Sequence, residues 1–120
     1  MKVTCHCGAV VLDVTLSDGM NTIRRCDCSF CVKRGAAAVT ALRENVVIVQ
    51  GADNLQLYQF GTNTARHHFC KTCGIYTHHN RRSNPAEVGI NAACIQGMYL
   101  PDHDPIPWAD GQNHPSDAKN

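Results

Sequence analysis

The segment Cys70-Lys71-Thr72-Cys73-Gly74 presents two thiols close together with a glycine behind them, and Cys5-His6-Cys7-Gly8 repeats that theme near the N-terminus. Structural zinc takes four ligands in a tetrahedron, and two short cysteine pairs from distant chain segments supply two sulfurs each. The glycine after each pair permits a positive φ, so the chain can turn beneath a metal and aim backbone N–H groups at the sulfurs. The shared Cys-Gly ending makes Cys5, Cys7, Cys70 and Cys73 the natural partners in one closed site. A third group, Cys26-Asp27-Cys28-Ser29-Phe30-Cys31, holds three cysteines. It offers three ligands to a second ion, which leaves either an open position, as in a catalytic zinc, or a closed site completed by His67, His68, His78 or His79. Spacing does not choose between the two.

The remaining composition fits this reading. The chain has 120 residues, enough for one domain, with 11 Lys plus Arg against 10 Asp plus Glu and a formal charge of +1. No strong field draws it to nucleic acid or to an anionic membrane. The longest weakly polar run, residues 35–42, is far short of a bilayer span of roughly 20 residues. Met1-Lys2-Val3-Thr4 runs into Cys5 without an apolar h-region. A soluble, cytoplasmic protein is expected, and in a reducing compartment clustered cysteines serve as metal ligands rather than disulfides. Three Phe, three Tyr and one Trp make a core poor in aromatics, which a metal would reinforce. Haem attachment is excluded because Val32 follows Cys31 and Gly74 follows Cys73, and neither pair opens a helix of a thioredoxin-like βαβ unit.

Hydrophobic patterning predicts short strands. Val10, Leu12, Val14 and Leu16 alternate, and Ser17-Asp18-Gly19 supplies a turn. Residues 36–42 read as a strand or a short helix. The β-branched run Val46-Val47-Ile48-Val49 reads as a buried strand, with residues 55–60 as its partner. Residues 65–69 and 75–79 flank the Cys70 knuckle as further strands. Val88, Ile90, Ala92 and Cys94 alternate again, which makes Cys94 a small buried residue rather than a ligand. Pro101, Pro105, Pro107 and Pro115 predict a largely irregular tail from about residue 101 of a single domain over residues 1–120. No sustained 3.6-residue period and no glycine-rich phosphate loop appear, so the fold class is mainly β.

Cys5-x-Cys7-Gly8, Cys26-x-Cys28-x-x-Cys31 and Phe69-Cys70-x-x-Cys73-Gly74, in that order, resemble the glutathione-dependent formaldehyde-activating enzyme family, which also includes centromere protein V. The resemblance runs from about Thr4 to Cys94. It implies a small zinc-stabilised β-tent fold of short antiparallel strands with two zinc ions per chain. The first and last cysteine pairs would hold the structural zinc, and Cys26, Cys28 and Cys31 the catalytic one. It also implies a carbon–sulfur lyase acting on S-hydroxymethylglutathione or a similar thiol–aldehyde adduct, with a thiol such as glutathione and an aldehyde as partners.

The residues suit such chemistry. Three thiolates blunt the Lewis acidity of zinc, but a substrate thiol bound as fourth ligand is held deprotonated. Histidine titrates near neutrality, so one of the four paired histidines can move the carbinol proton, although a strand histidine without a role is the plainer reading for any single one. Arg24, Arg25, Lys33 and Arg34 flank the triplet and Arg81-Arg82 follow the second histidine pair. Arginine forks fit the two carboxylates of glutathione, and Arg24 and Arg34 are the candidates; the plainer alternative is a solvated basic rim. The competing function is a zinc scaffold without catalysis that binds another protein, and the near-zero charge argues against nucleic acid as that partner. Sequence does not set the oligomeric state.

Overall fold

Both paired cysteine motifs form the loops of β-hairpins. In the computed structural model, which describes residues 1–112, β1 (Lys2–Thr4) pairs antiparallel with β2 (Val11–Leu16) and the Cys5 knuckle joins them, with Cys5 N–H bonded to Val10 O at 3.2 Å. β3 (Arg25–Cys26) and α1 (Cys31–Arg34) bracket the triplet, and β4 (Ala38–Gln50) follows. Next come β5 (Leu55–Tyr58), β6 (Arg66–Cys70), β7 (Tyr76–Asn80) and β8 (Glu87–Asn91). The Cys70 knuckle links β6 to β7, with Cys70 N–H bonded to Ile75 O at 3.0 Å. β9 (Trp108–Ala109) lies parallel to β3.

The large sheet runs β1-β2-β4-β8-β7-β6-β5, all antiparallel, so the protein is mainly β as its alternating patterns predict. Five strand spacings separate β1 from β6, about 24 Å in a flat sheet. Yet Cys7 Sγ and Cys70 Sγ are 3.7 Å apart, so the sheet curls until its two hairpin loops meet. The curled face encloses Val3, Leu12, Val14, Val39, Val88 and Ile90, with Cys5, Cys70 and Cys94 in the same cluster.

Three expectations change. Residues 38–42 of the first segment and Val46-Val47-Ile48-Val49 belong to one long strand, β4, and within the β-branched run Val46 is half-buried against the core while Val47, Ile48 and Val49 are exposed rather than buried. β8 accompanies β4 only from Ala38 to Leu42, so the second half has β2 as its one neighbour and Val49 stays 62% exposed. Residues 55–58 do not pair with that run. Gly51, at φ 82° and so close to Ala9 that a Cβ would overlap its carbonyl oxygen, and the 3₁₀ turn Ala52–Asn54 send the chain to the far edge of the sheet, beside β6. Finally, Cys94 ends a 3₁₀ turn (Ala92–Cys94) after β8 rather than a strand, though it is buried as expected.

The tail is also more ordered than its prolines predict. Leu100–His103 forms a 3₁₀ turn and β9 follows; the rest of that expectation, including Pro115, falls on residues 113–120, outside the described residues.

Candidate metal centres and the adjoining cleft

The sulfurs of Cys5, Cys7, Cys70 and Cys73 lie within 4.8 Å of one another. Zn–S bonds of about 2.3 Å in a tetrahedron put neighbouring sulfurs about 3.8 Å apart. The Cys5–Cys7 and Cys7–Cys70 separations are both 3.7 Å, so the donor set fits a zinc ion in chemistry and in size. Val10 N–H donates to Cys5 Sγ at 3.3 Å and Asn54 Nδ2 to Cys70 Sγ at 3.4 Å, which stabilises negative sulfur. Gly8 and Gly74 turn the two loops at φ 82° and 77°.

Cys26, Cys28 and Cys31 form the second cluster, again with sulfurs within 4.8 Å. Cys26 ends β3 and Cys31 opens α1, whose N–H donates to Cys28 Sγ at 3.2 Å. A hydrogen bond from the Cys31 thiol pulls Cys26 down to about 5, so this cluster favours a thiolate on its own. No histidine nitrogen joins either cluster among the described residues. Among the described residues the arrangement is three sulfurs beside a cleft.

That cleft, about 190 Å³, is lined by the triplet, Arg24, Arg34, Arg81, Arg82, His67 and His79, with residues 109–111 along another wall. His68 and His78 stay outside it, stacked on each other at 4.4 Å and hydrogen-bonded to Asn80 and Thr77. Register explains the division, because β6 and β7 pair His67 with His79 and His68 with His78. Burial, reinforced by the Arg34 charge, pushes His67 down to about 4 and His79 well below the ordinary range. Both are neutral near pH 7. Arg34 can only donate, so His67 Nδ1, 3.2 Å from Arg34 Nη1, is the acceptor and the ring proton sits on Nε2. His79 Nδ1 meets the Tyr76 hydroxyl at 2.6 Å.

The two arginines singled out from sequence differ in setting. Arg24 is exposed at the cleft. The Arg34 guanidinium is engaged within the protein: Nη2 donates to Cys31 Sγ at 3.5 Å and the group lies over the Tyr76 ring at 3.6 Å. Arg81 is buried against Glu87 at 3.6 Å, and Arg82 Nη2 donates to Gly111 O at 3.2 Å. Sequence reasoning missed Tyr76 and residues 109–111. Nothing in their local pattern marks them: Tyr76 is buried behind the cleft, where it meets His79 and lies under Arg34, and residues 109–111 reach the cleft wall only through the return of the tail to β3.

A family model described as "Glutathione-dependent formaldehyde-activating enzyme" matches residues 1–106. The chain belongs to this family. It is also similar to a Rhodobacter sphaeroides protein of known crystal structure, with 58% identity, a TM-score of 0.90, and coverage of 91% of this chain and 100% of that one. All seven clustered cysteines lie inside the family match, whereas the cleft wall at residues 109–111 lies beyond it. Among the described residues, no helix is long and apolar enough to cross a membrane.

Proposed function

We propose that this family member is a zinc-dependent carbon–sulfur lyase that makes and breaks a thiol–aldehyde adduct such as S-hydroxymethylglutathione. The observation that carries the reading is a three-sulfur cluster beside a cleft rich in arginine. Cys26, Cys28 and Cys31 would hold the catalytic ion, and Cys5, Cys7, Cys70 and Cys73 the structural one. When bound at three thiolates, zinc supplies a positive centre that keeps a substrate thiol deprotonated.

In the synthetic direction the thiolate sulfur attacks the aldehyde carbon. A C–S bond forms, the carbonyl π pair moves to oxygen, and that oxygen takes a proton; cleavage reverses each change. His67 is a neutral, buried imidazole with its proton on Nε2, suited to stabilise charge growing on the oxygen. Tyr76 and His79 supply a second hydrogen-bonded pair in the same region. Arg24 is available for a substrate carboxylate at the cleft edge.

The test mixes zinc-loaded protein with glutathione and ¹³C-formaldehyde and follows exchange into the hydroxymethyl adduct by NMR. Exchange should exceed the uncatalysed rate, and Cys28→Ser should return it to that rate. Calorimetry with glutathione and S-methylglutathione separates the scaffold reading, because a thioether cannot become an anionic ligand. Equal binding of the two, with no acceleration of exchange, would favour the scaffold.

A further inference from the structure

Between two of the clustered thiols stands Asp27, and its carboxylate faces the chain's own tail. Asp27 Oδ1 accepts the backbone N–H of Gly111 at 2.6 Å and of Gln112 at 3.2 Å, across 84 residues of sequence in the first case. In return, Asp27 N–H donates to Ala109 O at 3.1 Å and Arg25 N–H to Pro107 O at 2.8 Å, continuing the β3–β9 pairing. Arg82 secures the far side of the same segment through Gly111 O. At Gly111 the backbone comes so close that a Cβ would overlap Cys26 Sγ and press on the Cys28 Cβ and N at 2.8 Å. Only glycine fits there.

We infer that residues 107–112 form a strap that completes the triplet site, with Asp27 and Gly111 as positioning residues that hold Cys26 and Cys28 at ligand geometry. A Cys-x-Cys turn on two residues of β3 has little local structure to keep its sulfurs converged. The strap supplies what is missing from a distance: two amides fix the Asp27 carboxylate, one carbonyl fixes its N–H, and the bare Gly111 backbone sets a floor under the Cys26 sulfur and the Cys28 Cβ and backbone N. Groups of this kind, outside the ligands themselves, typically change metal affinity by 10–100-fold when removed. The segment lies past residue 106, so this support is an addition to what the family match covers.

The inference rests on the triplet's being a zinc site, and its test reads zinc rather than turnover. Full-length, zinc-loaded protein is mixed with the chelating dye 4-(2-pyridylazo)resorcinol, and zinc release is followed by absorbance. The wild type should release one equivalent quickly from the triplet and one slowly from the four-cysteine site. Asp27→Ala should accelerate the fast phase by about 10–100-fold and leave the slow phase and the circular dichroism unchanged. Asp27→Asn keeps the accepting oxygen and should release zinc as the wild type does. Gly111→Val should resemble Asp27→Ala; should it fail to fold, the Asp27 pair decides. A wild-type fast phase in Asp27→Ala would overturn the strap's role, and so would equal acceleration in Asp27→Asn, since charge rather than the tail would then be responsible. A wild type that binds a single equivalent would instead overturn the zinc reading of the triplet itself.

Discussion

Arg34 shows how one side chain can look like a substrate contact in sequence and turn inward in the fold. Its fork reaches Cys31 Sγ and His67 Nδ1 together, which fixes both a sulfur of the triplet and the tautomer of a cleft histidine. Arg24 has no such commitment and lines the cleft as an exposed cation. The two should therefore separate in kinetics. Arg34→Ala is expected to lower kcat by about 10–100-fold, the usual effect of losing a group that supports a ligand, and Arg34→Lys should not restore it because one ammonium cannot serve both partners. Arg24→Ala should raise KM for glutathione with little change for 2-mercaptoethanol, which carries no carboxylate. Steady-state rates with the two thiols check both, and an Arg34→Ala enzyme altered only in KM would return Arg34 to carboxylate binding. The histidines carry a similar lesson: the double pair was visible in sequence, but only strand register sends His67 and His79 to the cleft.

At the scale of elements, the cysteine knuckles are hairpin loops whose flanking strands were legible from alternation. β4 was legible only in pieces. Its alanines and its β-branched run suggest separate segments, because residues 43–45, Arg43-Glu44-Asn45, look like a break. They remain extended because β4 extends past β8 at that point and exposes polar side chains to solvent at no cost. This exposure has an energetic consequence. Val47→Thr should change stability by no more than about 0.5 kcal/mol, as surface substitutions do, whereas Leu12→Ala on the fully buried face of β2 should cost about 2–5 kcal/mol. Denaturant melts of the two variants test the assignment, and a cost above 2 kcal/mol for Val47→Thr would place that run in a core.

For the molecule as a whole, the four-cysteine site joins hairpins near opposite ends of the curled sheet, while the triplet organises a short local turn. Cys73→Ser should therefore abolish soluble folded protein, given apparent zinc-binding energies of about 10–16 kcal/mol in finger peptides. Cys28→Ser should stay folded and lose one zinc; the opposite pattern in expression and metal analysis would exchange the two roles. Acid sensitivity is a property of the whole sheet too. Burial holds His67 at about 4 and His78 at about 3, whereas an unfolded histidine titrates near 6.5. Below about pH 6.5 the unfolded chain takes up protons that the folded one refuses, so stability falls as pH drops toward 4. The Tm of His78→Gln should fall less between pH 7 and pH 5 than that of the wild type, and identical slopes would remove His78 from the account. Cysteine type, spacing and the glycines behind each pair were enough to sort seven cysteines into the two clusters that converge in space, because a metal-type donor set demands specific atoms at short spacing. Alternation was enough for a mainly β chain, because burial on one face of a strand imposes a period of two. The exposed half of β4, the inward turn of Arg34 and the tail strap came from tertiary structure alone. Each depends on which strands end up adjacent and where the chain returns, and those distances are set by packing rather than by neighbours in sequence.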